Sequence, residues 1–184
     1  MAKKNIDQTV VNEFGKEWQT YRQDKIFGKE QNKIFNNYFH IFPWDQISEN
    51  SCGIDIGCGS GRWTKVIASK VRHMHCIDPS DAIEIAKQNL DENKNISFYK
   101  TDIENIPLND NSIDFGFCLG VLHHLPDTEN GMLNCVKKLK KGAPFLVYIY
   151  YNFDNRPKFY YLIWKISDYF RFVISKLPFY LKKN

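Results

Sequence analysis

The sequence predicts an α/β fold: a doubly wound, mostly parallel Rossmann-like sheet, with N-terminal helices before it and a C-terminal amphipathic helix after it. Three observations support this class. Short apolar runs alternate with helix-like segments between residues 52 and 151. Glycine, proline or a turn cluster bounds each run, as is usual for strands. Three closely spaced glycines follow the first run, as in the first strand-to-helix turn of such sheets.

In the N-terminal part, we expect one or two helices from about Ile6 to Phe42, because polar and apolar residues alternate there at helical spacing. The pattern is interrupted near Phe27–Gly28 and ended by Pro43. Five strands and three helices follow. In chain order they are strand 52–56, helix 62–70, strand 73–77, a helix capped by Ser80 and running to about Leu90, strand 95–100, strand 113–120, helix 127–141 and strand 144–151.

This order divides the chain into three regions. Residues 1–46 form an N-terminal helical cap, residues 47–151 the core, and residues 152–184 an aromatic and basic helical tail. The strand–helix alternation of the core predicts a parallel sheet with helices on both faces.

Composition sets broad limits on function. The chain of 184 residues is 43% hydrophobic and 25% charged, as expected of a soluble protein, and its net charge of +4 does not indicate a nucleic-acid binder. Five cysteines without a CxxC pair predict neither a zinc ribbon nor a redox dithiol, and fit reduced thiols in the cytoplasm. No secretory h-region is visible at the N-terminus, and no apolar run reaches the roughly 18–20 residues of a membrane span.

The stretch GIDIGCGSGRW, residues 53–63, indicates a ligand at the backbone after the first strand. Nucleotide phosphate, a dinucleotide and S-adenosylmethionine are the three ligand classes to consider. A P-loop is excluded, since it closes with Lys-Ser/Thr and this loop closes with Gly61-Arg62-Trp63. A dinucleotide fingerprint would place its third small residue on Arg62, where an arginine hinders helix packing. The tighter G-x-G-x-G suits a ligand without a pyrophosphate.

Two acids follow later strands. Asp78 ends the second strand about 20 residues beyond the glycines, where such folds place a carboxylate on ribose hydroxyls. Asp102 follows the third strand, where its oxygens can accept from the amino group of an adenine. Together they favour an adenosine-containing ligand.

Four motifs carry a family resemblance: GIDIGCGSGRW, CIDPSD, TDIENIPL and IDFGFCLGVLHHLPD. In this order and spacing, they resemble the successive motifs of class I S-adenosylmethionine-dependent methyltransferases over roughly residues 52–151. The resemblance implies S-adenosylmethionine as cofactor and S-adenosylhomocysteine as product. It implies a sheet order of 3-2-1-4-5, followed by a terminal hairpin that is not visible here.

The resemblance also implies roles for matching residues. Asp55 orients the loop and faces the methionine amino group, and Gly57, Cys58, Gly59 and Gly61 cradle the methionine part and its carboxylate. Asp78 holds the ribose beside Pro79, while Asp102 and Ile103 bracket the adenine. Leu119 and Gly120 line the side nearest the sulfonium.

Histidines 123 and 124 follow the fourth strand, near the expected methyl donor. His123 is a candidate general base, and packing or capping is the alternative. A zinc site is not predicted, because adjacent residues seldom share a tetrahedral ion and no third ligand is evident.

Three further patterns have structural interpretations. Phe14, Trp18 and Tyr21 form one helical stripe, which either docks on the core or covers the cofactor. The lysines of KKLKK, residues 137–141, suit the C-terminus of a helix. In the tail, Lys165, Asp168, Arg171 and Ser175 form a polar stripe. That tail helix can pack over the core or acceptor site, form a homodimer contact or lie at a lipid surface.

The expected function is methyl transfer to a small-molecule acceptor. The alternative is a non-catalytic S-adenosylmethionine-binding regulatory or partner subunit, and an oxidoreductase is a more distant third.

Overall fold

The computed structural model describes residues 4–20, 29–150 and 156–175. The chain divides into two compact units, residues 1–149 and residues 150–184. The first unit holds the sheet and the N-terminal helices, and the described part of the second contains a helix.

Five strands and six α-helices lie in the described residues. The strands are β1 (Cys52–Ile56), β2 (His73–Ile77), β3 (Ile96–Tyr99), β4 (Phe115–Leu119) and β5 (Phe145–Tyr148). The helices are α1 (Gln8–Thr20), α2 (Lys29–Phe39), α3 (Arg62–Ile67), α4 (Ala82–Asn89), α5 (Thr128–Lys138) and α6 (Lys158–Ser175).

The sheet has the order β3-β2-β1-β4-β5, and all four strand pairings are parallel. The predicted fold class and strand order are therefore confirmed. In the centre, Asp55 of β1 lies opposite Cys76 of β2 and Phe117 of β4. Because every strand runs the same way, all carboxyl ends meet at one edge, which is where ligands bind in such sheets.

Alternating residues of the strands fill two cores, one on each face of the sheet. On one face, Phe115 and Phe117 pack with aromatic residues such as Phe39 of α2 and Trp63 of α3. On the opposite face, isoleucines of β1 and β2 pack with Cys135 of α5. Helix α4 adds a smaller cluster beside the aromatic core. Helices thus cover both faces, as predicted.

The predicted boundaries of the helices after β1 and β2 differ from those in the structure. The helix expected over residues 62–70 is α-helical only to Ile67 and continues as a 3₁₀ turn, Ala68–Lys70. The cap of α4 is Asp81, one residue after the predicted Ser80. Ser80 Oγ nevertheless accepts a hydrogen bond from the Ala82 N–H at 3.2 Å.

The lysine run 137–141 was predicted to end a helix, but α5 stops at Lys138. Leu139 is buried in the core and pairs with Ile113 as an isolated parallel bridge. Lys138 and Lys140 instead reach Asp110 and Asp114, at 2.8 and 2.6 Å. Burial of one leucine therefore ends the helix early and divides the lysines between helix and loop.

Helices α1 and α2 belong to the same compact unit as the sheet. The interruption predicted near Phe27–Gly28 and the side chain of Tyr21 lie outside the described residues. Near the N-terminus, the Asn5 side chain makes a pair of hydrogen bonds with the backbone of Asp127, at the start of α5. Its Nδ2 donates to the Asp127 carbonyl, and its Oδ1 accepts from the Asp127 N–H, both at 2.7 Å.

Candidate functional site

A cleft with a cavity volume of about 140 Å³ lies at the carboxyl ends of β1, β2, β3 and β4 and is bordered by α1. Seven of the twelve residues predicted for the site line it: Gly57, Asp78, Pro79, Asp102, Ile103, Leu119 and Gly120. The predicted residues that do not line it are Asp55, Cys58, Gly59, Gly61 and His123. Four strand ends that are distant in sequence therefore contribute to one site.

The glycine loop is tightly folded against the end of β2. Gly57, Gly59 and Gly61 have positive φ angles of 73°, 53° and 76°, a region that favours glycine. The N–H groups of Gly57 and Cys58 both donate to the Ile77 carbonyl, at 2.7 and 3.0 Å. These two backbone donors are thus used within the protein, and so are the carbonyl groups of Cys58 and Ser60, which accept from the Gly61 N–H and from Asn89 Nδ2.

Asp55 lies behind the loop rather than on the cleft wall. Its side chain is 2% exposed, and Oδ2 accepts a 2.7 Å hydrogen bond from Thr64 Oγ1 of α3. Burial raises the pKa of Asp55 to about 7, although the Thr64 hydrogen bond acts in the opposite direction. Asp55 therefore connects β1 to α3, the two elements that flank the glycine loop.

Asp78 connects the glycine loop to the turn before α4. Its Oδ2 accepts from the Gly59 N–H at 3.0 Å, and its Oδ1 accepts from the Ser80 N–H at 2.9 Å and from Ser80 Oγ at 2.6 Å. Burial raises the pKa of Asp78, and the bonds from Ser80 and Gly59 partly offset this effect. The predicted ribose-binding acid is held in one orientation on the cleft wall.

Asp102 and Ile103 form the part of the wall contributed after β3. Asp102 caps a 3₁₀ turn, with Oδ1 accepting from the Asn105 N–H at 3.0 Å and from Asn105 Nδ2 at 2.7 Å. Ile103 is buried beside it and lines the cleft. This polar and apolar pair suits the edge and face of a flat ring such as adenine.

The end of β4 provides the opposite wall. The Gly120 N–H donates to the Tyr148 carbonyl at 2.8 Å, and a Cβ atom on Gly120 would have no neighbour within 4 Å. His124 lines the cleft, whereas the predicted His123 is not among the lining residues. The rings of His124 and Phe14 meet edge to face at 4.9 Å. Burial lowers the pKa of His124, which favours a neutral imidazole at pH 7.

Helix α1 covers the cleft with an apolar face that includes Val10, Phe14 and Trp18. The indole of Trp18 stands over the glycine loop, because a Cβ atom on Gly59 would lie 3.0 Å from it. Sequence reasoning found Phe14 and Trp18 through their helical spacing. It missed Ile6, Asp7, Val10 and Val11, because neither the docking of α1 nor its rotation is encoded in a local motif.

The charges on the cleft are one-sided. Asp7, Asp78 and Asp102 are present, and among the described lining residues there is no lysine or arginine. Most of the wall is apolar, with Val121 and Leu125 next to His124. Such a surface suits ligands that are uncharged or positively charged.

Comparison with known proteins identifies the family of the domain. Residues 54–147 match the family model described as a methyltransferase domain. Among solved structures, a putative S-adenosylmethionine-dependent methyltransferase from Methanococcus maripaludis superposes with a TM-score of 0.62. That pair is 22% identical, and the alignment covers 80% of this chain and 66% of the other, which supports the shared fold.

Two curated relatives have named acceptors. Demethylmenaquinone methyltransferase of Staphylococcus epidermidis is 25% identical over 146 residues, 77% of this chain and 59% of its own length. Phosphoethanolamine N-methyltransferase 2 of Caenorhabditis elegans is 34% identical over 101 residues, 53% of this chain and 23% of its own length. The chain thus spans only part of each relative that it matches.

Proposed function

Since the chain belongs to the S-adenosylmethionine-dependent methyltransferase family through its methyltransferase domain, residues 54–147, we propose that it transfers a methyl group from S-adenosylmethionine to an uncharged, largely apolar small molecule. The observation that carries this proposal is the single cleft lined by Gly57, Asp78, Asp102 and Gly120. These residues come from the ends of four different strands.

The residues present fit an adenosine-type cofactor. Asp78 is fixed on the wall by three hydrogen bonds and can accept from ribose hydroxyls. Pro79 and Ile103 provide apolar surface for the adenine, and Asp102 provides an acceptor. Gly57 and Gly120 both have positive φ. The Val121 side chain already fills the space beside Gly57, whereas no atom lies within 4 Å of a Cβ on Gly120, so open space for a ligand lies on the Gly120 side.

S-adenosylmethionine, when bound, supplies a methyl group on a positively charged sulfur. The task of the protein is then to hold an acceptor lone pair in line with the S–CH₃ bond. Well-aligned positioning can supply about 7–11 kcal/mol of the barrier. No oxyanion hole is needed, because positive charge on sulfur is lost as the methyl group leaves.

The chemistry of the wall restricts the acceptor. A phosphorylated acceptor such as phosphoethanolamine needs cationic partners, and the described lining residues include no lysine or arginine. Val10, Phe14, Val121 and Leu125 instead offer an apolar enclosure. This lining favours an uncharged ring compound, the acceptor type in the name of the Staphylococcus relative.

We propose His124 as the group that accepts a proton when the acceptor is a hydroxyl. Its ring borders the cleft, and its lowered pKa favours the neutral form that can take a proton. His123, the residue predicted from the sequence, remains a candidate that acts through His124, since the centroids of the two imidazole rings are 4.1 Å apart.

The test has two stages. Calorimetric titration with S-adenosylhomocysteine is expected to give saturable binding, and absence of any heat or saturation with either cofactor form would refute the cofactor assignment. Next, methyl-labelled S-adenosylmethionine is supplied with hydroxylated quinones or phenols and, separately, with phosphoethanolamine. Labelled product is expected from a ring acceptor only. Binding without turnover on any acceptor would favour the non-catalytic subunit.

A further inference from the structure

Helix α6 presents a wide apolar arc to solvent. At about 100° per residue, Phe159, Leu162, Ile163, Ile166, Phe170 and Ile174 fall within roughly 120° of one another around the helix. Each of these six side chains is between 50% and 60% exposed. A contiguous exposed apolar surface of this kind marks an interaction site rather than an ordinary solvent face.

The opposite arc of α6 carries the charged side chains of the helix among aromatic ones. Its charged residues are Lys158, Lys165 and Arg171 with a single acid, Asp168, and its aromatic residues are Tyr161, Trp164 and Phe172. Tyrosines stand near both borders of the apolar arc, Tyr160 on one side and Tyr169 on the other, and are 41% and 67% exposed. Aromatic side chains with one apolar and one polar end are typical of the boundary between a membrane and water.

Charge is concentrated in the same segment. Residues 156–184 hold seven of the 25 lysines and arginines and one of the 21 acids, which gives this segment a net charge of +6. The whole chain carries +4, so residues 1–155 carry −2. An anionic surface therefore attracts the C-terminal segment and not the remainder of the chain.

We propose that α6 is an interfacial helix that lies in the surface of an anionic lipid bilayer. Its apolar arc would enter the acyl boundary while Lys158, Lys165 and Arg171 stay among the headgroups. No helix in the described parts of the chain is long and apolar enough to cross a membrane. A second copy fits less well, because pairing through the same arc would bring together two segments that each carry +6.

The experiment is flotation of the full chain with lipid vesicles. Vesicles of phosphatidylcholine alone are compared with vesicles that contain about one quarter phosphatidylglycerol, at low and high salt. We expect at least tenfold tighter binding to the anionic vesicles and a loss of most of this preference at high salt. Equal binding to both vesicle types, or binding to neither, overturns the proposal.

Three variants separate the contributions. Phe170→Glu interrupts the apolar arc and is expected to weaken vesicle binding at least tenfold. The double variant Lys165→Glu/Arg171→Glu is expected to remove the preference for anionic lipid. The matched control is Lys87→Glu, a charge reversal on the exposed face of α4 at a side chain 45% exposed, which is expected to bind like the unchanged chain.

Sedimentation velocity of the same proteins tests whether a second copy of the chain covers the apolar arc instead. If both the unchanged chain and Phe170→Glu sediment as monomers at micromolar concentration, the lipid assignment is supported. A dimer that Phe170→Glu dissociates, together with absent vesicle binding, assigns the arc to a second copy and overturns the proposal. Because Phe170 is 60% exposed, the substitution is not expected to unfold the chain, and circular dichroism checks this.

Discussion

The Gly59 N–H donates a 3.0 Å hydrogen bond to Oδ2 of Asp78, so the glycine loop and the ribose-side acid form one unit. This hydrogen bond connects the glycine loop to the acid after β2, 19 positions later in the sequence, and it does not require a ligand. A change at either residue is expected to disturb the other.

Asp78→Ala is expected to weaken S-adenosylhomocysteine binding at least tenfold, because the ribose loses a charged acceptor. It is also expected to lower the free energy of unfolding by about 1–3 kcal/mol, since the buried donors of Gly59 and Ser80 lose their acceptor. Calorimetry and urea unfolding measure the two effects. Asp91→Ala, at an exposed acid just after α4, is the control and should change neither. Unchanged affinity in Asp78→Ala would contradict the role assigned to this acid.

Asp55 is expected to make stability fall as pH rises. Its pKa is about 7 in the folded protein against 3.8 in the unfolded chain, so between these values the folded state binds more protons. The contribution is complete below the unfolded value and is lost as pH rises through about 7, with a size on the order of 4 kcal/mol. Urea unfolding of wild type and Asp55→Asn across this range isolates the contribution. Parallel stability curves for the two proteins would exclude it.

Gly120 and Gly142 have the same backbone conformation, but only Gly120 lines the cleft, so Gly142 is a control for substitutions at Gly120. Their φ angles are 78° and 82°, and a Cβ atom at either would have no neighbour within 4 Å. Alanine at each is expected to cost about 1–2 kcal/mol in unfolding free energy, because the left-handed conformation is strained for a residue with a Cβ. Only Gly120→Ala is expected to weaken S-adenosylhomocysteine binding, because Gly120 lines the cleft. Equal affinity in both variants would mean that the ligand does not approach Gly120.

His124→Gln is expected to lower the rate of methylation of a hydroxyl acceptor by about 10²–10⁴-fold. Binding of S-adenosylhomocysteine should change little, since the side chain serves the acceptor. The pH dependence of the rate should lose its acidic limb, which reports protonation of the imidazole. His123→Gln is the comparison, and a larger loss there than in His124→Gln would return the role to His123.

The strands could be predicted because their signals are local, whereas their order in the sheet was implied by the family resemblance. Short apolar runs, bounded by glycine or proline, fix β1 and β2 with the observed limits. Asp78 and Asp102 could be placed at the site from their positions after strands, since parallel strands bring their carboxyl ends together.

Other features depend on tertiary packing and leave no comparable signal. The end of α5 is set by the burial of Leu139, while the lysines around it suggest a longer helix. The choice of His124 over His123 for the cleft wall depends on the 3₁₀ turn Leu122–His124, which is too short for a periodic pattern. The hydrogen bonds from the loop N–H groups to Ile77 and Asp78 could not be predicted, because they join segments far apart in sequence.

The covering helix α1 is held differently at its two ends: by hydrogen bonds of Asn5 just before its start and by packing near its C-terminus. Asn5 is 7% exposed and is hydrogen-bonded to the start of α5, whereas the other end of α1 packs through Gly15 on the turn Ser80–Asp81 and through Trp18 on the glycine loop. If α1 swings aside to admit or release a ligand, the displacement should be small near Asn5 and large near Trp18. The rate of S-adenosylhomocysteine dissociation would then depend on how often the Trp18 end of α1 moves away from the glycine loop. Residues of α1 would set the residence time, and residues of the cleft wall would set the equilibrium affinity.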